Sequence, residues 1–326
     1  MAAVCAVCKT EKVDAVRRRI KGDANVCPEC FWKHVGKSVK TLVAKELKNA
    51  SREHPVRVAV LLEVDDPCSL LLLKVLLDVF PPRGKRRETF NGLPPRMLDL
   101  FPFVVIQSGM ETAAENLVKF GESLGVAVHV AKVDPAAEEA LKAYSHSERL
   151  FMLDSYVHRA LRAFSAEQQC PFVFTPKCAS DLAADSLFFT GLGCGEALVT
   201  RCGPKDEHTF GNATILRPLK DLLVQEVFEL CKIGSIPVSD LESARAKSLL
   251  SVSQDFIGSM QTSFPHCAFS IVGSVSRLAL PETKKQCRAC LCFFEETNSS
   301  NLCHLCAALS AKHRSKCTLE QMSTLF

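Results

Sequence analysis

The sequence has no apolar run long enough to cross a bilayer and a single tryptophan among 326 residues. Its most apolar stretch, Pro67 to Phe80, is interrupted by Lys74 and Asp78. That falls short of the roughly 20 residues a spanning helix needs. The opening residues, MAAVCAVCKTEKVDAVRRR, carry charge from Lys9 onward and have no apolar segment before a small-residue cleavage site. A secretory route is therefore not expected. Low complexity is missing too: 47% of residues are hydrophobic and 23% charged, which excludes a disordered tail or a collagen-like repeat. The expectation is a soluble cytoplasmic chain, either one large domain or a core with small appendages.

What is plentiful is cysteine, 17 in all. An odd count leaves one thiol over in any closed disulfide framework, and a reducing compartment disfavours disulfides altogether. Cys5 and Cys8 form one CxxC pair, and Cys27 and Cys30 a second, with 18 residues between them. Near the other end, Cys287 and Cys290 are followed after 12 residues by Cys303 and Cys306. Two thiolates separated by two residues bind one metal from a tight turn, because the intervening amides stabilise the sulfur charge. A second such knuckle completes a closed tetrahedral site, which is structural and keeps no open coordination position. A segment of about 30 residues gains most of its folding energy from such a metal. Two structural zinc ions are expected, with an iron–sulfur cluster as the four-cysteine alternative. Cys292 and His304 are alternative ligands at the second site.

Charge gathers at the same ends. Residues 1–57 carry 13 Lys+Arg against 6 Asp+Glu, a net of +7, and residues 283–317 carry 6 against 2, a net of +4. The span 58–282 has a net of −6. Basic ends suit a polyanion partner, although lysines also simply solvate small modules. Each four-thiolate zinc site has a net charge of about −2, so two would bring the formal +4 of the chain near zero.

Between the ends, apolar β-like runs alternate with helical patterns from about Val56 to Pro237. Val56–Leu62 reads as a buried strand, followed by a helix over Cys68–Val79. Phe103–Ile106 and Val126–Val133 read as further strands, with a helix over Glu111–Leu124 between them. Helices are expected over Ala136–Tyr144, Arg149–Phe164 and Leu219–Lys232, with a short strand at Thr214–Leu216. Strands separated by helices predict a doubly wound parallel α/β sheet, whose ligand site lies at the strands' C-terminal ends. A phosphate-binding sheet follows its first strand with glycines and hydroxyls. Here Glu63-Val64-Asp65-Asp66-Pro67-Cys68-Ser69 has no glycine, three carboxylates and a proline. Carboxylates there repel phosphate, and capping the next helix is the better role for the aspartates. The turn Gly191–Gly195 lacks the Lys and Ser/Thr of a P-loop. Cys170, Cys178, Cys194 and Cys202 are candidate sulfur nucleophiles, but no neighbouring base is evident that would activate any of them. The loop containing Arg83, Lys85, Arg86 and Arg87 is a candidate RNA contact, with a merely solvated loop as the competing reading.

Several stretches together resemble the cytoplasmic tRNA 2-thiolation protein 2 family, the partner subunit of the cytosolic thiouridylase. They are Cys27-Pro28-Glu29-Cys30-Phe31 leading into a basic helix, Leu192-Gly193-Cys194-Gly195, and Arg217-Pro218-Leu219-Lys220-Asp221 followed by Gln225-Glu226-Val227. Ser253–Ile257 and Ser270–Arg277 resemble the segments leading into the family's last zinc ribbon. The resemblance implies an adenine nucleotide alpha hydrolase-like fold related to the PP-loop ATP pyrophosphatases, flanked by N- and C-terminal zinc ribbons. It implies four regions: a zinc module and basic helix (1–54), a degenerate PP-loop domain (55–238), a helical connector (239–282) and a zinc ribbon (283–326). In active relatives Ser-Gly-Gly-x-Asp-Ser binds ATP; here Glu63–Ser69 stands in its place, and Leu192-Gly193 where those relatives have Gly-His-Asn. No catalytic residue and no bound ATP are expected of this chain. The implied function is that of a non-catalytic subunit that binds tRNA and a catalytic paralogue. The heterodimer would 2-thiolate the wobble uridine of tRNAs for Lys, Glu and Gln, with sulfur from a thiocarboxylated ubiquitin-related modifier. The alternatives are a self-sufficient ATP-dependent sulfurtransferase using Cys178 or Cys194, and a zinc-ribbon scaffold without RNA binding.

Overall fold

Helix formation near the N-terminus follows from a plain pattern: Phe31, Val35, Val39, Val43 and Leu47 recur every four residues and are all buried. The computed structural model describes residues 4–11, 16–18, 24–48, 54–80, 97–238, 247–280, 284–295 and 301–313. Strands β1 (Val16–Arg18) and β2 (Ala24–Val26) pair antiparallel and lead into α1 (Pro28–Glu46). Pro28 suits the first helical turn, where its missing N–H costs nothing. The apolar stripe of α1 joins the same buried cluster as the central sheet. Its opposite side carries the exposed Lys33, Lys37, Lys40 and Lys45, with Lys48 just beyond the helix.

Strand β3 (Val56–Leu62) is the centre of the fold. Val58, Val60 and Leu62 face one buried cluster while Ala59 and Leu61 face another, so both sheet faces are covered and the run is apolar throughout. The chain continues through α2 (Pro67–Val79), β4 (Leu98–Ile106), α3 (Glu111–Ser123), β5 (His129–Lys132), α4 (Pro135–Leu141) and α5 (His146–Glu167). It then passes through β6 (Phe172–Phe174), α6 (Ala179–Gly191), a single π turn over Leu198–Cys202, β7 (Lys205–Asp206), β8 (Thr214–Leu216) and α7 (Val224–Ile233). The six-stranded sheet has the order β5-β4-β3-β6-β8-β7, parallel except for the antiparallel β7–β8 pair. Apolar residues of α1, α2, α3 and α7 pack on one face, and Leu161 and Phe164 of α5 on the other. This is the doubly wound parallel sheet expected from the sequence. The switch point lies between β3 and β6, because the chain leaves β3 toward β4 and returns to its other side at β6.

Some boundaries differ from the sequence reading. The third strand shrinks to His129–Lys132 because it lies at the sheet edge and pairs only with Phe103–Ile106. The helix expected from Leu219 begins at Val224, where Glu226 accepts the Leu223 N–H at 3.0 Å. The glycine-rich turn Gly191–Gly195 is the stop of α6. Gly193 adopts φ 71°, a left-handed value that favours glycine, and its N–H bonds back to the Thr190 carbonyl at 3.0 Å.

Helices α8 (Leu249–Ser263) and α9 (Cys267–Val275) pack on α6. Strands β9 (Lys284–Gln286) and β10 (Phe293–Glu295) pair antiparallel before α10 (His304–His313). Among the described residues, no helix is long and apolar enough to cross a membrane.

Candidate functional site

The switch point is built from the loops after β3 and β6. Asp66 caps α2, accepting from Cys68 N at 3.2 Å and Ser69 N at 2.8 Å, as its position before Pro67 suggests. Ser69 Oγ donates to Asp66 at 2.7 Å and accepts the Glu63 N–H at 2.8 Å, so the loop closes upon itself. The amides that would meet a phosphate at this helix N-terminus are thus already taken by a carboxylate. Burial, with Glu63 and Asp181 nearby, pushes the Asp66 carboxyl up to about 7. Lys177 is the cation of this nest, 3.3 Å from Glu63 and 3.7 Å from Asp185. Its own burial works against the charge, but Asp185, Glu63 and Asp181 outweigh it and hold the ammonium well above its ordinary range. The Cys68 and Cys178 thiols meet here beside Asp181; the Cys178 thiol and then burial raise Cys68, and burial raises Cys178.

The sulfurs of Cys5, Cys8, Cys27 and Cys30 lie within 4.8 Å of one another, and so do those of Cys287, Cys290, Cys303 and Cys306. Individual pairs are 3.8 Å apart for Cys8–Cys27 and 3.6 Å for Cys290–Cys303. A tetrahedron with sulfur about 2.3 Å from its centre has edges of about 3.8 Å, so both sets fit a four-coordinate metal. An all-thiolate set at this spacing suits a single tetrahedral ion such as zinc, which would supply structure rather than reactivity. The N-terminal knuckle is stabilised by the Cys27 N–H donating to Cys5 Sγ at 3.3 Å.

The C-terminal set is embedded. Its four cysteines share a buried cluster with Phe151, Met152, Phe188, Phe189, Cys194 and Cys292. Arg201, itself buried, donates to the Cys290 carbonyl at 2.7 Å and lies 3.3 Å from Asp154. Burial opposes ionisation of Asp154, yet Arg201 and His158 hold its carboxyl well below the usual range. Gln286 donates to the Thr209 carbonyl at 2.7 Å and accepts from Arg162 at 3.2 Å.

Neither of the alternative ligands, Cys292 and His304, is among the groups that converge there, although Cys292 lies beside them against Cys194 and Cys290. Cys194, raised from the sequence only as a nucleophile, packs against Cys292 and Cys303 and is inaccessible. Cys170 and Cys202 are likewise buried, and burial pushes the Cys170 thiol up to about 11, the reverse of activation. Arg217 is a structural tie: it donates to Gly203 O at 2.5 Å and Thr200 O at 2.8 Å, pinning the π turn. Arg83, Lys85, Arg86 and Arg87 lie outside the described residues. Among the described residues, exposed lysines gather on α1, beside a cavity of about 1010 Å³ lined by Lys37, Lys45, Lys205 and Lys220 together with Glu46 and Asp221, which pair with the last two.

No protein-family model matches the chain. Curated relatives do match. The cytoplasmic tRNA 2-thiolation protein 2 of Drosophila virilis is 26% identical over 219 residues, covering 65% of this chain and 51% of that protein. Its counterpart in Drosophila mojavensis is 24% identical over 290 residues, covering 82% of this chain and 69% of that protein. The chain therefore spans about half the length of the first of these relatives. Among solved structures, the U34-tRNA thiolase NcsA from Methanococcus maripaludis with its 4Fe-4S cluster superposes with a TM-score of 0.70. That match covers 98% of each chain at 16% sequence identity, a likeness of fold. The resemblance read from the sequence holds, since these relatives carry the name of that family.

Proposed function

We propose that this chain is a tRNA 2-thiolation protein acting as the non-catalytic subunit of a thiouridylase heterodimer. It binds tRNA and a catalytic PP-loop paralogue. The substrates in this reading are the cytosolic tRNAs for Lys, Glu and Gln, thiolated at the wobble uridine with sulfur from a thiocarboxylated ubiquitin-related modifier. Residues 1–54 and 283–326 serve as metal modules on the α/β core, joined to it at the C-terminal side by the connector 239–282.

The observation that carries the non-catalytic assignment is the closed loop after β3. Asp66 occupies the amides of Cys68 and Ser69, and the surrounding carboxylates oppose a triphosphate. Support for the RNA role comes from the relatives' names and from α1, which turns one apolar face to the core and one lysine face outward. Lysines spaced along a helix suit a polyanion and add affinity without sequence specificity.

The reading is tested in two steps. Filter binding with bulk tRNA, with and without the co-expressed PP-loop partner, is expected to show tight binding that weakens steeply with salt. Replacing Lys33, Lys37 and Lys40 by Ala is expected to reduce the salt slope by about one for each phosphate that is no longer neutralised. Calorimetry of the isolated chain with ATP and Mg²⁺ is expected to give no heat of binding. Normal wobble thiolation in cells lacking this chain would overturn the assignment.

A further inference from the structure

We propose that Cys68, Cys178 and Asp181 form a third metal site, for a zinc-class dication, at the switch point of the sheet. One ligand atom from each residue lies within 4.8 Å of the others. The Cys68 Sγ–Asp181 Oδ2 distance is 3.6 Å. Cys68 is the second residue of α2, and Cys178 caps α6, the helix that also carries Asp181. Two helix N-termini from opposite sides of the switch point therefore bring their first turns to one spot. This is the crevice in which doubly wound sheets place ligands.

The local charge asks for a cation. Glu63, Asp66, Asp181 and Asp185 surround a single ammonium, Lys177. Like charges gathered in a dry site repel strongly, and a dication relieves that imbalance where one lysine does not. The donor set selects the class of ion. Two sulfurs and one carboxylate oxygen suit zinc, whereas Mg²⁺ and Ca²⁺ demand oxygen donors. Cys68 and Cys178 are 2% and 0% exposed, so they present sulfur inward and not to solvent oxidants. Binding displaces one proton from each thiol to solvent, leaving a neutral set of two thiolates and a dication, with Asp181 as third ligand.

Three protein ligands leave a fourth position, the arrangement that distinguishes an open site from a closed structural one. A cavity of about 290 Å³ borders the cluster through Cys68 and Asp181 and is also lined by Glu63, Asp66 and Lys177. It is large enough for water or a small sulfur- or oxygen-donor ligand. The site thus differs in kind from the two four-cysteine sets, which have no such position. It concerns this chain's own residues and stands whether or not the tRNA reading does.

The test uses the full chain loaded with cadmium-113 and read by NMR. The expected result is a third resonance, upfield of those from the all-sulfur sites, that disappears in Asp181→Asn while the others persist. Asparagine keeps a capping oxygen for the Cys178 N–H, so the fold is retained. A parallel measurement on zinc-grown protein is expected to lose one metal equivalent per chain in Cys68→Ala/Cys178→Ala. A spectrum of the fully loaded wild-type chain with only all-sulfur resonances overturns the proposal, as does unchanged metal content in both variants when they are folded by circular dichroism.

Discussion

The two four-cysteine sets share one spacing logic and differ in almost everything around it. In the N-terminal set Cys8 is exposed and Cys30 half-buried, and the knuckle is held mainly by short-range bonds such as Ala6 N–H to the Asn25 carbonyl at 2.8 Å. In the C-terminal set all four are buried, and Arg201, Gln286 and Arg162 tie the ribbon to the core through three separate elements. The first is partly open to solvent, with Cys5 and Cys27 packed into the main buried cluster beside α1. The second is part of the hydrophobic interior, continuous with Phe151, Phe188 and Phe189. The shared CxxC pairing therefore says what metal chemistry is available, and the neighbours decide whether losing it is a local or a global event.

That contrast is sharpest under substitution. Cys290→Ser is expected to abolish cooperative folding of the whole chain. Structural zinc in small modules contributes about 10–16 kcal/mol, comparable to the entire stability of a domain. Loss of the thermal unfolding transition and rapid proteolysis of the core are the readouts. A transition like that of wild type would mean the ribbon folds apart from the core. Arg201→Met comes next, at about 3–5 kcal/mol in denaturant unfolding, because it strips the cation from Asp154 and the donor from the Cys290 carbonyl.

Cys8→Ser should behave oppositely. It is expected to release one metal equivalent and expose the N-terminal segment to protease, while the core transition moves by less than about 1 kcal/mol. A large shift in core stability would erase the distinction between the two sets. The smallest effect is expected of Lys312→Ala, which removes the 2.7 Å pair between α10 and Glu148 of α5. Burial raises the Glu148 carboxyl, but Lys312 and Ser145 outweigh it and bring it down to about 2. A carboxyl depressed in the folded state contributes stability fully above its unfolded value, near 4.5, and loses it as pH falls through about 2. Wild type and variant should thus differ by under about 1 kcal/mol at neutral pH and converge in acid. NMR titration of Glu148 checks the shift directly, which should rise toward the ordinary value in the variant.

Much of the fold was legible because it is written in local periodicity. The run Val56–Leu62 is apolar without alternation because both its faces are covered, and its boundaries in the structure match the sequence reading. Asp66 before Pro67 announced a helix cap. The three-residue strand Phe172–Phe174 was not legible, since three apolar residues carry no period, and only its pairing with β3 and β8 makes it a strand. The glycine-rich turn was legible as a turn but not as the stop that delivers Cys194 to the C-terminal cluster. The helix α6 that precedes it was not legible either, because several of its faces are buried and its apolar residues leave no single stripe.

The sequence by itself determined the two pairs of CxxC knuckles, since these are local objects whose geometry follows from a single turn. It also determined the parallel sheet, through runs and helices that each satisfy their own backbone. Tertiary structure alone decided that one cysteine set is buried throughout while the other leaves Cys8 exposed. It alone brought Cys68 to Asp181 across 113 residues, because the first turns of α2 and α6 meet only once β3 and β6 have paired. Spacing carries information over a few residues, whereas a switch point exists only after the chain has crossed its own sheet.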